Sequence, residues 1–365
     1  MAQWLDFYAG SSILEMIRDE GLRWERIQGM LGAAGGPKWL ILCGLDRVLC
    51  RHWLPHAETP LDFLGASIGA WRFAAYCQKD PAAALDRFLE AYRSQSYSMH
   101  PTPQEVTRVL GGVLRSFVGH EEARDIAFQK KRRLHIVTMR GRGLLNSRAT
   151  FSVALGLAAA SMSNAVDRAW LHGFFERILF APPESRLLRH LDKSLWAYRL
   201  VPLQPENVIP ALLASGSIPL LMEPVLDIPK APSGVYWDGG LMDYHVTVPW
   251  LQDSGGIVLY PHYMDRLVPG WFDKRLTKRR PNARYLDQVL VVVPSRSFVA
   301  SLPYGRIPDR KDFWIFAGQD SQRLRFWDTV MTKSRLLGEE FMELVLSGRI
   351  RDRVRSVDAL GNSSS

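Results

Sequence analysis

Residues 65–69 read Gly-Ala-Ser-Ile-Gly and place a serine between two glycines, where an apolar segment gives way to a helix. Residues 61–64 predict a short buried strand, and residues 68–76 predict the helix that follows. A sharp strand-to-helix turn strains its central residue and holds that side chain clear of the backbone, while glycines two positions away on each side relieve the crowding. The spacing therefore predicts a nucleophile elbow with Ser67 at its tip, supported by Gly65 and Gly69.

Strand-like and helical segments alternate along the rest of the chain. Strands are predicted at residues 26–34, 61–64, 134–139, 194–200, 235–237, 256–260 and 288–293, and helices at 37–49, 68–76, 82–93, 104–117, 121–130 and 322–346. This alternation is typical of an α/β fold with a mostly parallel central sheet and helices on both faces. The uninterrupted apolar run 289–293 is typical of a strand that is buried on both sides.

Composition indicates a soluble globular chain, because 365 residues with 47% hydrophobic and 23% charged side chains can bury a large core. Three cysteines without metal-ligand spacing favour a reducing compartment over a disulfide framework. Residues 1–6 lack the start of a secretory signal, so we expect a cytoplasmic protein. The apolar run 151–166 is interrupted by polar residues and too short to span a bilayer, and it predicts a buried or groove-lining helix.

The formal net charge of +9 is concentrated in two basic runs, at residues 130–133 and 274–280. Such runs are usually solvated faces, and the alternative is attraction to an anionic surface. Because no nucleic-acid module with interleaved aromatic residues accompanies them, no nucleic-acid partner is expected. Peripheral contact with an anionic membrane surface is the favoured alternative. Residues 269–284, which include the second run, predict a mobile loop.

A small-residue turn lies between the first predicted strand and its helix. Residues 32–38 read Gly-Ala-Ala-Gly-Gly-Pro-Lys, and backbone N–H groups in such a turn form an anion site at the start of a helix. Pro37 has no N–H group, so the expected donors are Gly35 and Gly36, together with Ile68 just after the serine. The Walker pattern and the dinucleotide fingerprint are both absent from the sequence, which argues against a nucleotide site.

Two further motifs follow at residues 214–224, which begin Ala-Ser-Gly-Ser-Ile-Pro, and at residues 236–240, Tyr-Trp-Asp-Gly-Gly. Together with the glycine turn and the elbow, these motifs over residues 27–249 resemble the patatin-like phospholipases. The resemblance implies a three-layer patatin-like fold and a catalytic dyad, with Ser67 as the nucleophile and Asp238 as the general base and acid. It also makes Gly35 and Gly36 the oxyanion donors.

The resemblance implies a lipid acyl hydrolase of phospholipase A or lysophospholipase type, which cleaves carboxylic esters through an acyl-enzyme intermediate. Phospholipid or another lipid ester is then the substrate, with no metal and no cofactor. The residues expected to support the site are Lys38, Gly65, Gly69, Gly239 and Gly240. The chain departs from the family's pattern at Ala34 and Trp39, and the bulk of Trp39 is expected to reshape the mouth of the site.

Two alternatives remain open from the sequence. One is an α/β-hydrolase esterase, whose triad would take Ser67, an aspartate and a histidine in that chain order. The aspartate would be Asp238 or Asp243, and the histidine His245 or His262. The other is a non-catalytic lipid-binding protein on the same fold.

The expected domain division has three parts. Residues 1–26 form an N-terminal helical extension, residues 27–300 the acyl hydrolase domain, and residues 301–365 a C-terminal helical extension with a disordered tail.

Overall fold

The structure, a computed structural model, describes residues 3–250 and 256–361, and eleven strands of this part form one sheet. The strands are β1 (Leu5–Ala9), β2 (Ile27–Gly32), β3 (Leu61–Ala66), β4 (Arg132–Gly141), β5 (Phe175–Ala181), β6 (Arg199–Pro202), β7 (Val225–Leu226), β8 (Val235–Asp238), β9 (Ile257–Pro261), β10 (Val289–Pro294) and β11 (Val354–Ser356).

Helices flank this sheet. They are α1 (Ser11–Glu20), α2 (Cys43–Val48), α3 (Ile68–Tyr76), α4 (Pro81–Arg93), α5 (Pro103–Phe117), α6 (His120–Phe128), α7 (Thr150–Val166), α8 (Arg186–His190), α9 (Pro205–Gly216), α10 (Arg296–Ala300), α11 (Asp312–Ile315), α12 (Asp320–Lys333) and α13 (Arg335–Leu346). The predicted α/β class with a mostly parallel sheet is confirmed.

The main path through the sheet runs in the order β11-β1-β10-β9-β2-β3-β4-β5-β6. The five central strands from β10 to β4 are parallel, whereas β1 pairs antiparallel with β10 and β5 pairs antiparallel with β4. Every residue of β3, β9 and β10 is buried. The core therefore lies on both faces of these central strands, as expected for a parallel sheet covered by helices.

Strand β8 lies beside the end of β3. Along β4, Val137 pairs with Ala66, the last residue of β3, and the next residue, Thr138, pairs with Asp238 of β8. Strand β8 thus pairs with the same edge of β4 as β3 does, just beyond the end of β3, and it runs antiparallel to both strands. This register brings Asp238 next to Ser67, which directly follows β3.

A buried ion pair fixes the helix that follows β3. On α3, Arg72 donates to Asp46 of α2 over 3.0 and 2.5 Å, and the Tyr76 hydroxyl donates to the same carboxylate over 2.8 Å. The side chains of Arg72 and Asp46 are 1% and 0% exposed. Each charge is therefore compensated within the core, and α3 is tied to α2.

Both terminal segments contribute strands to the sheet, which the predicted division into helical extensions missed. Strand β1 lies between β10 and β11, and α1 follows it. In the C-terminal segment, α11 to α13 are helical, but β11 adds an edge strand beside β1. Glu340 of α13 also accepts hydrogen bonds from the N–H groups of Trp4 and Leu5. Residues 363–365, where the disordered tail is predicted, lie outside the described residues.

Other differences are local. The helix predicted at residues 37–49 begins as a 3-10 helix, Gly36–Leu42, before α2. The strand predicted at 194–200 starts only at Arg199, and β5 was not predicted. The single helical region predicted at 322–346 is divided into α12 and α13 at Ser334.

The apolar run 151–166 forms α7, which is buried on one side only; of the two predicted alternatives, a buried or a groove-lining helix, it is not the fully buried one. Within the described ranges, no helix combines the length and apolar character needed to cross a bilayer. Residues 269–284, predicted as a mobile loop, contain the 3-10 turn Trp271–Asp273 and the start of a second one, Ala283–Leu286. Asp273 in this segment is fully buried.

Candidate active site

Ser67 occupies the strained tip of the turn between β3 and α3. Its backbone has φ 54° and ψ −129°, a conformation that side-chain-bearing residues rarely adopt. A Cβ atom on Gly69 would lie 2.3 Å from the Gly32 carbonyl oxygen, and one on Gly65 would lie 2.5 Å from the Ala70 nitrogen. Both flanking glycines are therefore required by close backbone approach, as the elbow motif predicts.

Ser67 and Asp238 meet directly. The Ser67 hydroxyl donates a hydrogen bond of 2.9 Å to Oδ2 of Asp238, and the two residues are 6% and 5% exposed. The other carboxylate oxygen accepts from the N–H group of Gly240 over 2.6 Å. A Cβ atom on Gly239 would lie 2.2 Å from the Val137 carbonyl oxygen, so this turn also needs its glycine.

The motif at residues 214–224 supports both partners. The Ser67 N–H donates to the Ser215 hydroxyl over 2.8 Å, and that hydroxyl donates to the Val137 carbonyl over 2.7 Å. The Asp238 N–H donates to the Ser217 carbonyl over 2.8 Å. The end of α9 thus holds the backbone of the elbow and of β8 in place.

Burial raises the pKa of the Asp238 carboxyl to about 6, because a charged carboxylate loses its hydration in this position. The hydrogen bonds from Gly240 and Ser67 lower this pKa, and so do the positive charges of Arg310 and Lys274, but burial outweighs them. The result is a carboxylate that is more basic than an exposed aspartate yet still ionised at neutral pH.

The glycine turn faces the same site. Gly35 (φ 148°) and Gly36 (φ 56°) both adopt backbone conformations suited to glycine, and a Cβ atom on Gly35 would lie 2.7 Å from the Tyr263 hydroxyl oxygen. That hydroxyl donates to the Ala34 carbonyl over 2.6 Å and so fixes the turn. Because the first N–H groups of a helix have no acceptor within it, those of Gly36 and of Ile68 are free to face an anion.

Lys38 and Trp39 each have other partners. The Lys38 ammonium pairs with Asp309 at 3.5 Å. Trp39 is 1% exposed and stacks on Phe88 with ring centroids 4.7 Å apart. The expectation that Trp39 reshapes the mouth of the site was therefore wrong, since its indole points into the core.

The residues of the alternative triad have other partners. His245 accepts from the Val268 N–H at Nδ1 and bonds the Tyr263 hydroxyl through Nε2, both over 2.8 Å. Asp243 pairs with Arg177 at 2.6 Å. Burial lowers the pKa of His262 to about 3 and holds that of His245 well below its usual range, so both imidazoles are neutral. The Ser67 hydroxyl bonds a carboxylate, not a histidine.

Two pockets open on either side of Ser67. The larger is a mainly apolar cleft that encloses about 730 Å³, counting space open to solvent. Its apolar lining includes Trp71, Val106, Leu110, Leu221, Phe313 and Trp314. Such a lining suits an alkyl chain.

The smaller pocket is lined by Asp238, Gly35, Tyr244, Lys274 and Arg310, among others. The Lys274 ammonium lies 3.9 Å from the centre of the Tyr244 ring. Arg310 lines both pockets and therefore stands at their junction. The site thus offers two cations beside the serine.

Sequence reasoning missed four of these functional contacts. Arg310 belongs to no motif, and Lys274 was noted only as part of a basic run. Ser215 and Ser217 lie in a motif that was recognised but given no role. The two serines of that motif, two positions apart, are the sequence signal that could have indicated their role in holding the backbones of Ser67 and Asp238. Among the described residues, no group of three His, Cys, Asp or Glu side chains is placed to hold a metal ion.

No protein-family model matches this chain, and no curated protein matches it.

Proposed function

We propose that this protein is a serine-dependent lipid acyl hydrolase of phospholipase A or lysophospholipase type, and that Ser67 and Asp238 are its catalytic dyad. The observation that carries the proposal is the 2.9 Å hydrogen bond from the Ser67 hydroxyl to the buried Asp238 carboxylate, at the tip of a strained turn. The order of motifs that resembles the patatin-like phospholipases supports the same assignment.

The first step is acylation. Asp238 takes the proton of the Ser67 hydroxyl while Oγ attacks the ester carbonyl carbon. The carbonyl oxygen becomes an oxyanion, which the N–H groups of Gly35, Gly36 and Ile68 stabilise. When the tetrahedral intermediate collapses, the ester C–O bond breaks and Asp238 returns the proton to the leaving alcohol.

The second step is deacylation. Asp238, ionised again, takes a proton from a water molecule that attacks the carbonyl carbon of the acyl-Ser67 ester. The same N–H groups stabilise the second oxyanion. The bond to Oγ then breaks, Ser67 recovers a proton from Asp238, and a fatty acid leaves.

The two pockets favour a phospholipid substrate. The apolar cleft suits the acyl chain, and Lys274 and Arg310 suit an anionic group attached to the leaving alcohol. A phosphate ester of glycerol presents such a group near the scissile carbonyl. The proposed substrates are therefore phospholipids and lysophospholipids, ahead of uncharged acylglycerols.

A fluorophosphonate probe tests the nucleophile, because it labels activated serines. We expect labelling of the wild type and none of Ser67→Ala. The matched control is Ser347→Ala, which removes an exposed serine after α13 and is expected to label as the wild type does. In ¹⁸O-labelled water, fatty acid released from a lysophospholipid is expected to carry one ¹⁸O atom.

Labelling that persists in folded Ser67→Ala would refute the assignment of the nucleophile. A folded wild type that neither labels nor releases fatty acid would instead support the lipid-binding alternative.

A further inference from the structure

The outer side of α7 is an exposed apolar surface. Its 17 residues, Thr150–Val166, include no charged side chain. At about 100° per residue, four large apolar residues fall on one stripe, within about 60° of each other. This α7 stripe consists of Phe151 (80% exposed), Leu155 (50%), Met162 (73%) and Val166 (69%).

The opposite side of α7 is firmly attached to the protein. A Cβ atom on Gly156 would lie 2.8 Å from Cγ of Leu145, so the helix approaches its support closely. Asn164 donates to the buried Asp273 carboxylate over 2.8 Å, and Arg279 donates to the Asn164 carbonyl over 2.6 Å. The stripe is therefore presented on a fixed helix.

The same contacts hold a basic segment against the C-terminal end of α7, on the side opposite the stripe. Asp273 immediately precedes residues 274–280, the second basic run of the sequence, and Arg279 lies within this run; both are bonded to α7 through Asn164. Arg275, Lys278 and Arg280 in this run are exposed. An uncharged apolar stripe and a group of exposed cations thus belong to two adjoining elements, α7 and the segment bonded to its C-terminal end.

The other side of α7 reaches the candidate active site. Leu157, at least about 120° around the helix from every stripe residue, lines the smaller pocket together with Trp271, which is 42% exposed and precedes the basic segment. The single helix α7 therefore contributes one side to the pocket beside Ser67 and exposes its stripe on another side.

We infer that the α7 stripe and the residues Arg275, Lys278 and Arg280 form a docking face for the surface of an anionic lipid bilayer. Contiguous exposed apolar surface marks a binding site, and an uncharged stripe with cations on the adjoining segment suits a bilayer whose acyl region is apolar and whose headgroups are negative. The net charge of +9 acts in the same direction. The inference rests on the proposed function only in taking a bilayer lipid as the substrate.

Flotation with vesicles tests the docking face. Ser67→Ala protein is used throughout, so that the result does not depend on hydrolysis. We expect it to bind vesicles of phosphatidylglycerol and phosphatidylcholine more tightly than vesicles of phosphatidylcholine alone, and less tightly as salt is raised. Adding Phe151→Ser and Met162→Ser is expected to weaken partitioning by about tenfold or more. Adding Lys278→Glu and Arg280→Glu is expected to weaken it on anionic vesicles only.

The control is Leu346→Ser, which removes an apolar side chain of similar exposure (72%) from α13, a helix that packs on α2. It is expected to bind as the parent does. In the active background, the stripe variant is expected to hydrolyse a monomeric short-chain ester at the parental rate.

A site-specific label locates the contact. All three native cysteines are buried, so a cysteine introduced as Met162→Cys can be labelled with an environment-sensitive dye. We expect its emission to rise and shift to the blue on anionic vesicles, whereas the same dye at Leu346→Cys stays unchanged. Failure of the parent to bind, equal binding by the stripe variant, or a dimer that the stripe variant abolishes would each overturn the inference.

Discussion

Replacing Asp238 with asparagine separates the catalytic role of this carboxylate from its cost to the fold. The amide is nearly the same size, and its oxygen can still accept from the Gly240 N–H. It cannot take the Ser67 proton, so turnover is expected to fall by at least about a hundredfold, the lower end of what a general base contributes.

The same change is expected to stabilise the protein at neutral pH. Burial raises the carboxyl pKa of Asp238 from its ordinary 3.8 to about 6. At about 1.4 kcal/mol per pKa unit, ionised Asp238 costs the folded state about 3 kcal/mol. Because the pKa of Asp238 is higher in the folded than in the unfolded state, this contribution of about 3 kcal/mol to stability is fully present below about pH 4. It is lost as the pH rises to about 6.

Thermal melts at different pH values measure this contribution of Asp238 to stability. For 365 residues, an unfolding entropy of about 2.1 cal/mol/K per residue means that about 0.8 kcal/mol of free energy shifts the melting temperature by one degree. Asp238→Asn should therefore melt about 4 °C above the wild type at pH 7.5, and this difference should shrink to about 1 °C by pH 4.5. The wild-type kcat/KM for a short-chain ester should rise with pH through a midpoint near 6, because the same carboxylate must be ionised to act as a base.

Asp125→Asn is the matched control, because Asp125 is exposed on α6. Its melting temperature should differ from that of the wild type by the same small amount at every pH. An Asp238→Asn protein that melts below the wild type at pH 7.5, or a difference that does not change with pH, would refute the reasoning. Unchanged turnover by this variant would refute the dyad.

Two further predictions concern the ion pair behind the elbow and the cation at the site. Asp46→Asn leaves the buried Arg72 guanidinium without its counter-charge, which lowers the free energy of unfolding by about 3 to 5 kcal/mol. Calorimetry should therefore show a melting temperature about 4 to 6 °C lower, and an unchanged melting temperature would contradict this. Lys274→Met should raise KM for an anionic lysophospholipid about fivefold but leave KM for an uncharged ester unchanged. It should also move the midpoint of the kcat/KM pH profile upward, because Lys274 lowers the pKa of Asp238. Equal effects on KM for both substrates would contradict this.

The elbow could be predicted from sequence because its constraints are local. Gly65 and Ala70 are five residues apart, and the contact between them that excludes a Cβ atom depends only on the shape of the turn. The Gly35–Gly36 turn is similar, since its backbone conformations are set by glycine itself. Such features leave a fixed spacing of small residues that can be read without a structure.

The meeting of Ser67 with Asp238 is different, because 171 positions separate them. It depends on β8 pairing with β4 at the point where β3 ends, and no periodicity in residues 235–238 specifies that register. Only the resemblance to a known family suggested the pair.

The terminal strands escaped prediction for a related reason. Strands β1 and β11 have five and three residues and come from opposite ends of the chain. Their pairing joins the two ends of the chain, as Phe7 with Val354. A window along the sequence cannot detect a partner so far away.

The pKa of about 6 for Asp238 meets two demands on the proposed base, which would act without a histidine. An exposed aspartate is ionised at pH 7 but is a weak base, whereas a carboxyl with a pKa above 8 would be a strong base that is mostly protonated. At about 6, the carboxylate is ionised in about nine molecules of ten at pH 7 and is about two units more basic than usual. Burial supplies the basicity, and the hydrogen bonds from Gly240 and Ser67, followed by the charges of Arg310 and Lys274, keep the pKa from rising further. In the proposed mechanism, Lys274 and Arg310 therefore lower the pKa of the base as well as binding the substrate. The Asp238 pKa is expected to rise in Lys274→Met, so a smaller fraction of Asp238 should be ionised at neutral pH.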